Sequence, residues 1–227
     1  MTITSDRLFR VAGLCAAAAG LIFIAVQINH PPMDVSSVTS TEWAVRNTAK
    51  LVMSALALAG ITGMYLRQVR QIGIFGLIGY ALLGSFYVLT AGVEFTAGYV
   101  LPSLADIAPG YVNDVLAASA GGTASGDIGS LQAVFTVCGL GYILGGLIFG
   151  IALFRTRVLA RWAAALLAVS TASTVALTAL PESFNRPFAI PMGIALIGLG
   201  LSLRRQSMTG SAPPLPGSPA GQPAIVR

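Results

Sequence analysis

The sequence predicts an all-α integral membrane protein, a bundle of six transmembrane helices with both termini in the cytoplasm. The first observation is composition: the 227 residues are 55% hydrophobic and only 9% charged, and the mean hydropathy is +0.80. These values lie far outside the range of soluble domains. The second observation is a series of six apolar runs of membrane-spanning character. The third is an alternation of basic loops that fits the positive-inside rule.

The first predicted span covers residues 8–28 and follows a short head that contains Arg7 and Arg10. Its apolar length is closer to that of a transmembrane helix than to the hydrophobic region of a signal peptide, so we interpret it as an uncleaved helix. The two prolines that follow His30 are expected to end it, because proline lacks the backbone N–H that a continuing helix needs.

The second predicted span, residues 43–66, organises the chain because its first two turns carry Arg46, Asn47 and Lys50. A cation at the centre of a membrane helix costs about 2.5–3.5 kcal/mol on insertion scales, so such residues usually pair or face the protein interior. This helix is expected to start on the outer side, and its side chains lean toward its N-terminus. Both cations can therefore extend outward to the interface, and pairing with a carboxylate is the alternative.

The third and fourth predicted spans, residues 72–99 and 131–154, are rich in glycine. Glu94 interrupts the third span late, and Pro102 is expected to end it. Glycines that recur along one helix face let a neighbouring helix approach closely in a membrane. The glycines in question are Gly73, Gly76 and Gly79 in the third span and Gly141, Gly145, Gly146 and Gly150 in the fourth.

Residues 102–130, between these spans, differ from the rest of the chain. They contain three Asp, no Lys or Arg, and a glycine-rich end. We interpret them as a long loop with a short interfacial helix over residues 111–118, which would place Tyr111, Val115 and Leu116 on the membrane.

The fifth and sixth predicted spans cover residues 162–180 and 188–203 and complete a transmembrane domain over residues 1–205. The fifth holds a series of Ser and Thr hydroxyls, which are expected to bond back to their own helix carbonyls; a polar path is the alternative. The tail, residues 206–227, is rich in Pro, Gly and Ser and is predicted to be disordered.

The distribution of charge predicts the orientation. With six spans, the side without the basic loops receives Arg46, Lys50 and Arg186 together with seven of the eight acids. The positive-inside rule then places both termini in the cytoplasm. We expect the chain in the plasma (inner) membrane. The net charge of +5 reflects this orientation and does not indicate a nucleic-acid partner. The other side carries ten of the thirteen basic residues: Arg7, Arg10, Arg67, Arg70, Arg155, Arg157, Arg161, Arg204, Arg205 and Arg227.

The same charges predict a polar pocket that opens to the outer side. Measured along the helices at about 1.5 Å per residue, Glu94 lies at nearly the depth of Arg46 and Lys50, so an ion pair can form. Tyr80, Tyr87 and Glu94 are spaced by seven residues and share one helix face. A structural clasp between two helices and a ligand site both fit this pattern. The predicted pocket residues are His30, Arg46, Asn47, Lys50, Tyr87 and Glu94.

The sequence does not indicate an enzyme. His30 is the only histidine, which excludes histidine-rich metal sites and bis-histidine haem ligation within one chain. No phosphate-binding loop or nucleophile elbow is present. Cys15 and Cys138 each fall inside an apolar run and indicate neither a disulfide nor a thiolate site. We therefore predict no cofactor and no metal.

Several short motifs resemble a broad group of uncharacterised multi-pass membrane proteins that are common in actinobacteria. They are DRLFRVAGL at the start, HPPxD after the first span, Trp43 at the start of the second, and GYVLPSLADIAP after the third. The resemblance covers residues 6–203 and implies a bacterial plasma membrane protein but no particular activity. Such proteins often carry a histidine at the position of Asn47, and this departure weakens any metal or proton-relay role.

Two functions fit these observations. The first is a small, non-enzymatic, transporter-like or ligand-binding membrane protein that uses the outer polar pocket. The second is an accessory or scaffold subunit that docks a membrane partner, or a second copy of itself, through the glycine-rich faces of the third and fourth spans. The first requires Glu94 and Lys50 to face an accessible cavity. The second requires a glycine groove that the chain itself leaves unfilled.

Overall fold

The computed structural model describes residues 4–179 and 186–209, and all regular secondary structure in these two ranges is helical. Three short helices lie between the long ones, and two segments depart from α-helical geometry: a π-helix at Thr96–Val100 and a 3₁₀-helix at Thr174–Ala179. The α-helices are α1 (Ser5–Ala25), α2 (Val35–Val38), α3 (Thr41–Arg67), α4 (Val69–Phe95), α5 (Leu101–Leu104), α6 (Pro109–Ser119), α7 (Leu131–Thr156), α8 (Arg161–Ser173) and α9 (Ala189–Thr209).

Four segments among the described residues are long and apolar enough to cross a membrane. They are α1, α3, the run Val69–Leu104 that begins with α4 and is kinked at Gly73, and α7. The helical segment Arg161–Leu177 is apolar but shorter. The structure is therefore that of a helical protein with four membrane-spanning candidates, and the assignment of α8 and α9 as further spans stays a prediction.

Six of the helices form a closed ring. In the order α1, α3, α4, α7, α8 and α9 each helix packs on the next, and α9 returns to pack extensively on α1. The main core lies between these helices, where residues such as Ala16, Ile61, Leu83, Phe149 and Leu199 are completely buried. Sequence neighbours are thus spatial neighbours throughout the ring.

Glycines allow the closest helix contacts in the ring. A Cβ at Gly13 or Gly20 of α1 would clash with the backbone of α9. Likewise, a Cβ at Gly79 of α4 would clash with α7, and one at Gly145 of α7 would clash with α4. Gly150 of α7 lies equally close to α8. Five of the seven glycines predicted to form packing faces, Gly79, Gly141, Gly145, Gly146 and Gly150, therefore lie against other helices of the same chain. The other two do not: Gly76 meets only Ile72 of its own helix, and Gly73 has a positive φ at a kink in α4 and no neighbour within 4 Å of a Cβ.

One end of the ring collects the arginines. The start of α1, the α3–α4 and α7–α8 turns and the last turns of α9 all lie there. Arg10 donates to the backbone carbonyl of Ser207 at 3.2 Å, and the Arg67 guanidinium lies 5.4 Å from the ring centre of Phe9. We call this the arginine end and the opposite one the cap end.

The cap end is covered by α2, α5, α6 and the loop that follows α6. A second apolar cluster holds these segments on Trp43, with Val112, Val115 and Leu116 almost completely buried. The predicted short helix is present as α6, but Val115 and Leu116 face this cluster and not a membrane surface. They were misplaced because the sequence does not reveal that α2 and α5 supply a second apolar face.

Two helices run further than the sequence predicted. The third span continues past Pro102, because this proline occupies the first turn of α5, where its missing N–H costs nothing. α9 continues past Arg205 to Thr209, and Ser207 is completely buried. The predicted tail therefore does not begin at Gln206, and residues 210–227 lie outside the described part of the chain.

The hydroxyls of α8 bond back to their own helix, as predicted. Thr171 donates to the carbonyl of Leu167 at 2.9 Å, and Ser173 donates to that of Ser170 at 2.9 Å. Both hydroxyls are thereby satisfied within the helix. They do not form a polar path.

Candidate ligand cavity

The cap end of the ring contains a cavity of about 1400 Å³. Its wall comes from the end of α1 and from α3, α4 and α7, and α6 and the residues after it contribute the cover. Leu177 and Arg186, which flank the α8–α9 connection, also line it. We call this space the cap-end cavity.

Lys50 and Glu94 form an ion pair on the wall of this cavity, with 3.4 Å between Nζ and Oε2. α3 runs away from the cap and α4 runs toward it, and helix side chains lean toward the N-terminus of their helix. Lys50 therefore leans toward the cap and Glu94 away from it, which brings the two charges to one level. Their side chains are 18% and 15% exposed, so the cavity reaches both.

Arg46 is not among the residues that line the cavity, where the sequence analysis placed it. Its guanidinium lies 2.7 Å from the Glu42 carboxylate and donates to the carbonyls of Val26 and Asn29 at 3.0 Å each. Those carbonyls follow the end of α1, where a helix leaves its last carbonyls without partners. Arg46 fastens α3 to the end of α1, because its planar guanidinium has enough donors for all three acceptors.

Asn47 and Tyr87 are both buried, and of the two only Asn47 lines the cavity. The Asn47 amide donates to the carbonyl of Trp43 at 2.8 Å. Tyr87 lies about 10 Å deeper along α4 than Glu94. Its ring packs on that of Phe86, with 5.0 Å between ring centres. At this depth Phe86, and not Tyr87, lines the cavity. Tyr87 is part of the buried core between the helices and does not belong to the predicted pocket.

His30 lines the cavity and lies edge-on to Trp43, with 6.2 Å between ring centres. Its Nδ1 lies 2.7 Å from the Pro31 carbonyl, so Nδ1 carries the proton of the neutral ring. Burial lowers the pKa of His30 to about 4; the hydrogen bond to Pro31 opposes this shift, and nearby positive charges, that of Lys50 first, add to it. The imidazole is therefore uncharged at neutral pH.

The sequence analysis missed several polar residues of the lining. Arg186 lines the cavity and donates to Oε1 of Gln27 at 3.2 Å. Its predicted position, as the third basic residue on the side without the basic loops, was the signal that could have found it. Gln132 and Thr136 of α7 also line the cavity, but nothing in their local sequence distinguishes them from other polar residues at a helix start.

The π-helix Thr96–Val100 follows Glu94 directly and helps to position it. A π-turn is wider than an α-turn and is often found at functional sites. The indole of Trp43 donates to the carbonyl of Ala97, inside this turn, at 2.8 Å. This bond ties the π-helix to α3 and thereby holds Glu94 close to Lys50.

Five ionisable side chains lie in the described part of the lining. The described part of the lining carries Lys50 and Arg186 as cations, Glu94 as the carboxylate, His30 as a neutral imidazole and Cys138 as a free thiol. Within residues 4–179 and 186–209, no three His, Cys, Asp or Glu side chains lie close enough to hold a metal ion. The remaining polar groups are amides and hydroxyls, which can orient a ligand by hydrogen bonds.

Comparisons of the chain with protein-family profiles, with characterised proteins and with solved structures return no match. The resemblance to actinobacterial multi-pass membrane proteins therefore stays a prediction. The cavity and the charged side chains that line it are therefore the observations that bear on function.

Proposed function

We propose that the chain is a six-span protein of the plasma membrane, with both termini in the cytoplasm, that binds a small ligand in the cap-end cavity from the outer side. It acts as a transporter-like or ligand-binding protein and not as an enzyme. The arginine end is then the cytoplasmic end.

The observation that carries the proposal is the Lys50–Glu94 pair on the wall of a cavity of about 1400 Å³. A charge inside a membrane bundle costs about 2.5–3.5 kcal/mol on insertion scales, and residues that bear this cost are usually functional. A pair that only clasped two helices would need no cavity beside it, and complete burial would add a desolvation cost. This pair is partly exposed to a space large enough for a small organic molecule.

The packing of α9 supports six spans. α9 has 21 residues, enough to cover about 30 Å. It lies along α1 from Gly13, which meets Gly200, to Gly20, which meets Gly193. A helix that accompanies a spanning helix over this length shares its depth in the membrane, and α8 then connects α7 to α9.

The accessory-subunit hypothesis receives no support from the glycine faces. It required a groove that the chain leaves unfilled. Gly79 and Gly145 lie at the α4–α7 contact, and Gly146 and Gly150 lie against α8. These four glycines are thus not free for a partner, and Gly73, which is exposed at the kink of α4, is a single open position.

The test is to ask whether a compound occupies the cavity of the protein purified from its native membrane. Gly139 lines the cavity, and a Cβ there meets nothing within 4 Å, so Gly139→Leu adds a bulky side chain at the cavity wall. Gly92→Leu is the matched control, because Gly92 is equally open and does not line the cavity. Bound molecules are extracted after gentle detergent purification and identified by mass spectrometry.

We expect one compound to accompany the wild type and Gly92→Leu in stoichiometric amount and to fall about tenfold or more in Gly139→Leu, because the added side chain takes its place. Equal amounts of every extracted compound in all three proteins would contradict the proposal.

A further inference from the structure

We infer that the ligand of the cap-end cavity is an anionic amphiphile, a carboxylate or phosphate group attached to an apolar chain. This inference rests on the proposed function and specifies the ligand class. It follows from which charges line the cavity and from the depth at which polar and apolar groups lie.

The charged level of the cavity has an excess of cations among the described residues. Lys50 and Arg186 line it with a single carboxylate, that of Glu94. Arg46, which does not line the cavity, pairs with Glu42. The lining thus holds one more cation than carboxylates among the described residues, and an anion can bind without displacing Glu94 from Lys50.

Both cations keep hydrogen-bond donors for such an anion. Lys50 has three N–H donors and Arg186 has five. Within the described part of the chain, Arg186 uses one donor on Gln27, and Lys50 faces Glu94 with its Nζ. His30, whose pKa is lowered by burial and by the charges of both Lys50 and Arg186, is neutral, so it adds no charge and offers its second ring nitrogen as an acceptor only. Arginine and lysine together are a common pair for carboxylate or phosphate groups.

The apolar part of the ligand is indicated by the floor of the cavity. On α3, Met53 lies about 4.5 Å deeper than Lys50. On α4, Phe86 lies about 12 Å deeper than Glu94. Phe23 on α1 lies about 6 Å deeper than Gln27. Met53, Phe86 and Phe23 all line the cavity.

The polar level thus lies toward the cap, and an apolar floor extends from it toward the arginine end. A ligand with a charged head and an apolar chain matches this gradient. A small hydrophilic anion would leave the aromatic and thioether groups of the floor without a partner.

The test uses Trp43 as the reporter, because Trp43 lines the cavity. The second tryptophan, Trp162, is 58% exposed near the arginine end and is replaced in a Trp162→Phe background. The full chain is placed in nanodiscs of phosphatidylcholine, and the quenching of Trp43 fluorescence is measured with 11-bromoundecanoic acid. Its methyl ester is the neutral control probe. A second set of nanodiscs contains brominated phosphatidylglycerol or brominated phosphatidylcholine.

We expect saturable quenching by the acid and about tenfold weaker quenching by the ester, because the ester lacks the charge that Lys50 and Arg186 bind. Lys50→Gln and Arg186→Gln should each raise the half-saturating concentration of the acid about fivefold or more. Arg70→Gln, which removes an exposed charge at the arginine end, should leave it unchanged. Stronger quenching by brominated phosphatidylglycerol than by brominated phosphatidylcholine would identify a lipid headgroup as the source of the anion; quenching by the free acid alone would identify a soluble amphiphile.

Two results would overturn the inference, and they are distinguishable. Equal, saturable quenching by acid and ester that is lost in Gly139→Leu means that the cavity binds a ligand but does not select an anion. Quenching that rises linearly with both probes and is unchanged in Gly139→Leu means that they only dissolve in the bilayer, which contradicts the proposed function as well.

Discussion

At the scale of single residues, the Lys50–Glu94 pair is intermediate between an exposed and a buried ion pair. The two charged atoms lie 3.4 Å apart, and neither side chain is fully buried. Exposed pairs contribute about 0.2–1 kcal/mol to stability, whereas breaking a buried pair costs about 3–5 kcal/mol. The measured contribution of this pair to stability therefore distinguishes a ligand site from a structural clasp.

We predict a coupling energy of about 1–2 kcal/mol in a double-mutant cycle of Lys50→Met and Glu94→Gln. Each single variant leaves one partner without its counterpart, so the double variant should be more stable than the sum of the single effects predicts. The free energy of unfolding is measured by titration with SDS in mixed micelles. A coupling energy of about 3 kcal/mol or more would favour the clasp, since it would mean that water and ligand do not reach the pair.

His30 should make the stability of the protein depend on pH. Its pKa is about 4 in the folded chain and about 6.5 in the unfolded chain. Between these values the unfolded state binds more protons, so the stability that is complete above pH 6.5 is lost as the pH falls toward 4. The thermal unfolding midpoint of the wild type is expected to fall over this range, and His30→Gln should flatten the decline. Parallel profiles for the two proteins would show that the ring is not desolvated.

At the scale of helices, glycine decides how closely the ring can pack. Gly145 and Gly139 lie on the same helix, α7, but their surroundings differ. A Cβ at Gly145 would clash with the backbone of Leu83, whereas one at Gly139 meets open space. The two positions therefore form a matched pair for testing the α4–α7 contact.

We predict that Gly145→Ala lowers the free energy of unfolding by about 1–3 kcal/mol, because the helices must separate to accommodate the methyl group. Gly139→Ala should be neutral or slightly stabilising, since alanine is the better helix former by about 1 kcal/mol. SDS titration of both variants checks the difference. Equal effects at the two positions would contradict the close contact at Gly145.

Helix cores could be predicted from the sequence better than helix ends. The apolar runs identified six helices because their period and length depend only on local sequence. Helix ends depend on neighbours. Pro102 was expected to end a helix, but the wider π-turn before it moves this proline into the first turn of α5. α9 extends past Arg205 because the buried Ser207 contacts α1 through Arg10, which no local signal reveals.

At the scale of the whole molecule, the site depends on how the ring closes. Lys50 and Glu94 could be paired from the sequence because they lie on consecutive long helices and at one depth. Arg186 enters the same cavity only because α9 returns to α1, next to Gln27. Arg46 was assigned to the pocket because the sequence shows its charge but does not show that the carbonyls of Val26 and Asn29, after the end of α1, accept its hydrogen bonds.

The last prediction is that the chain crosses the membrane six times, because α9 closes the ring by packing along α1. In the test, Cys15 and Cys138 are first replaced by alanine. Single cysteines are then introduced at three exposed sites: Thr123 in the cap, Arg70 at the arginine end and Pro187 between α8 and α9. With six spans and cytoplasmic termini, an impermeant maleimide should label Thr123→Cys and Pro187→Cys in intact cells and Arg70→Cys only after permeabilisation. Labelling of Pro187→Cys only after permeabilisation would reduce the spans to four and remove Arg186 from the outer side. α9 lies along α1 from Gly13 to Gly20. If α1 spans the membrane and Pro187 is cytoplasmic, α9 cannot keep these contacts with α1, and the ring would be open.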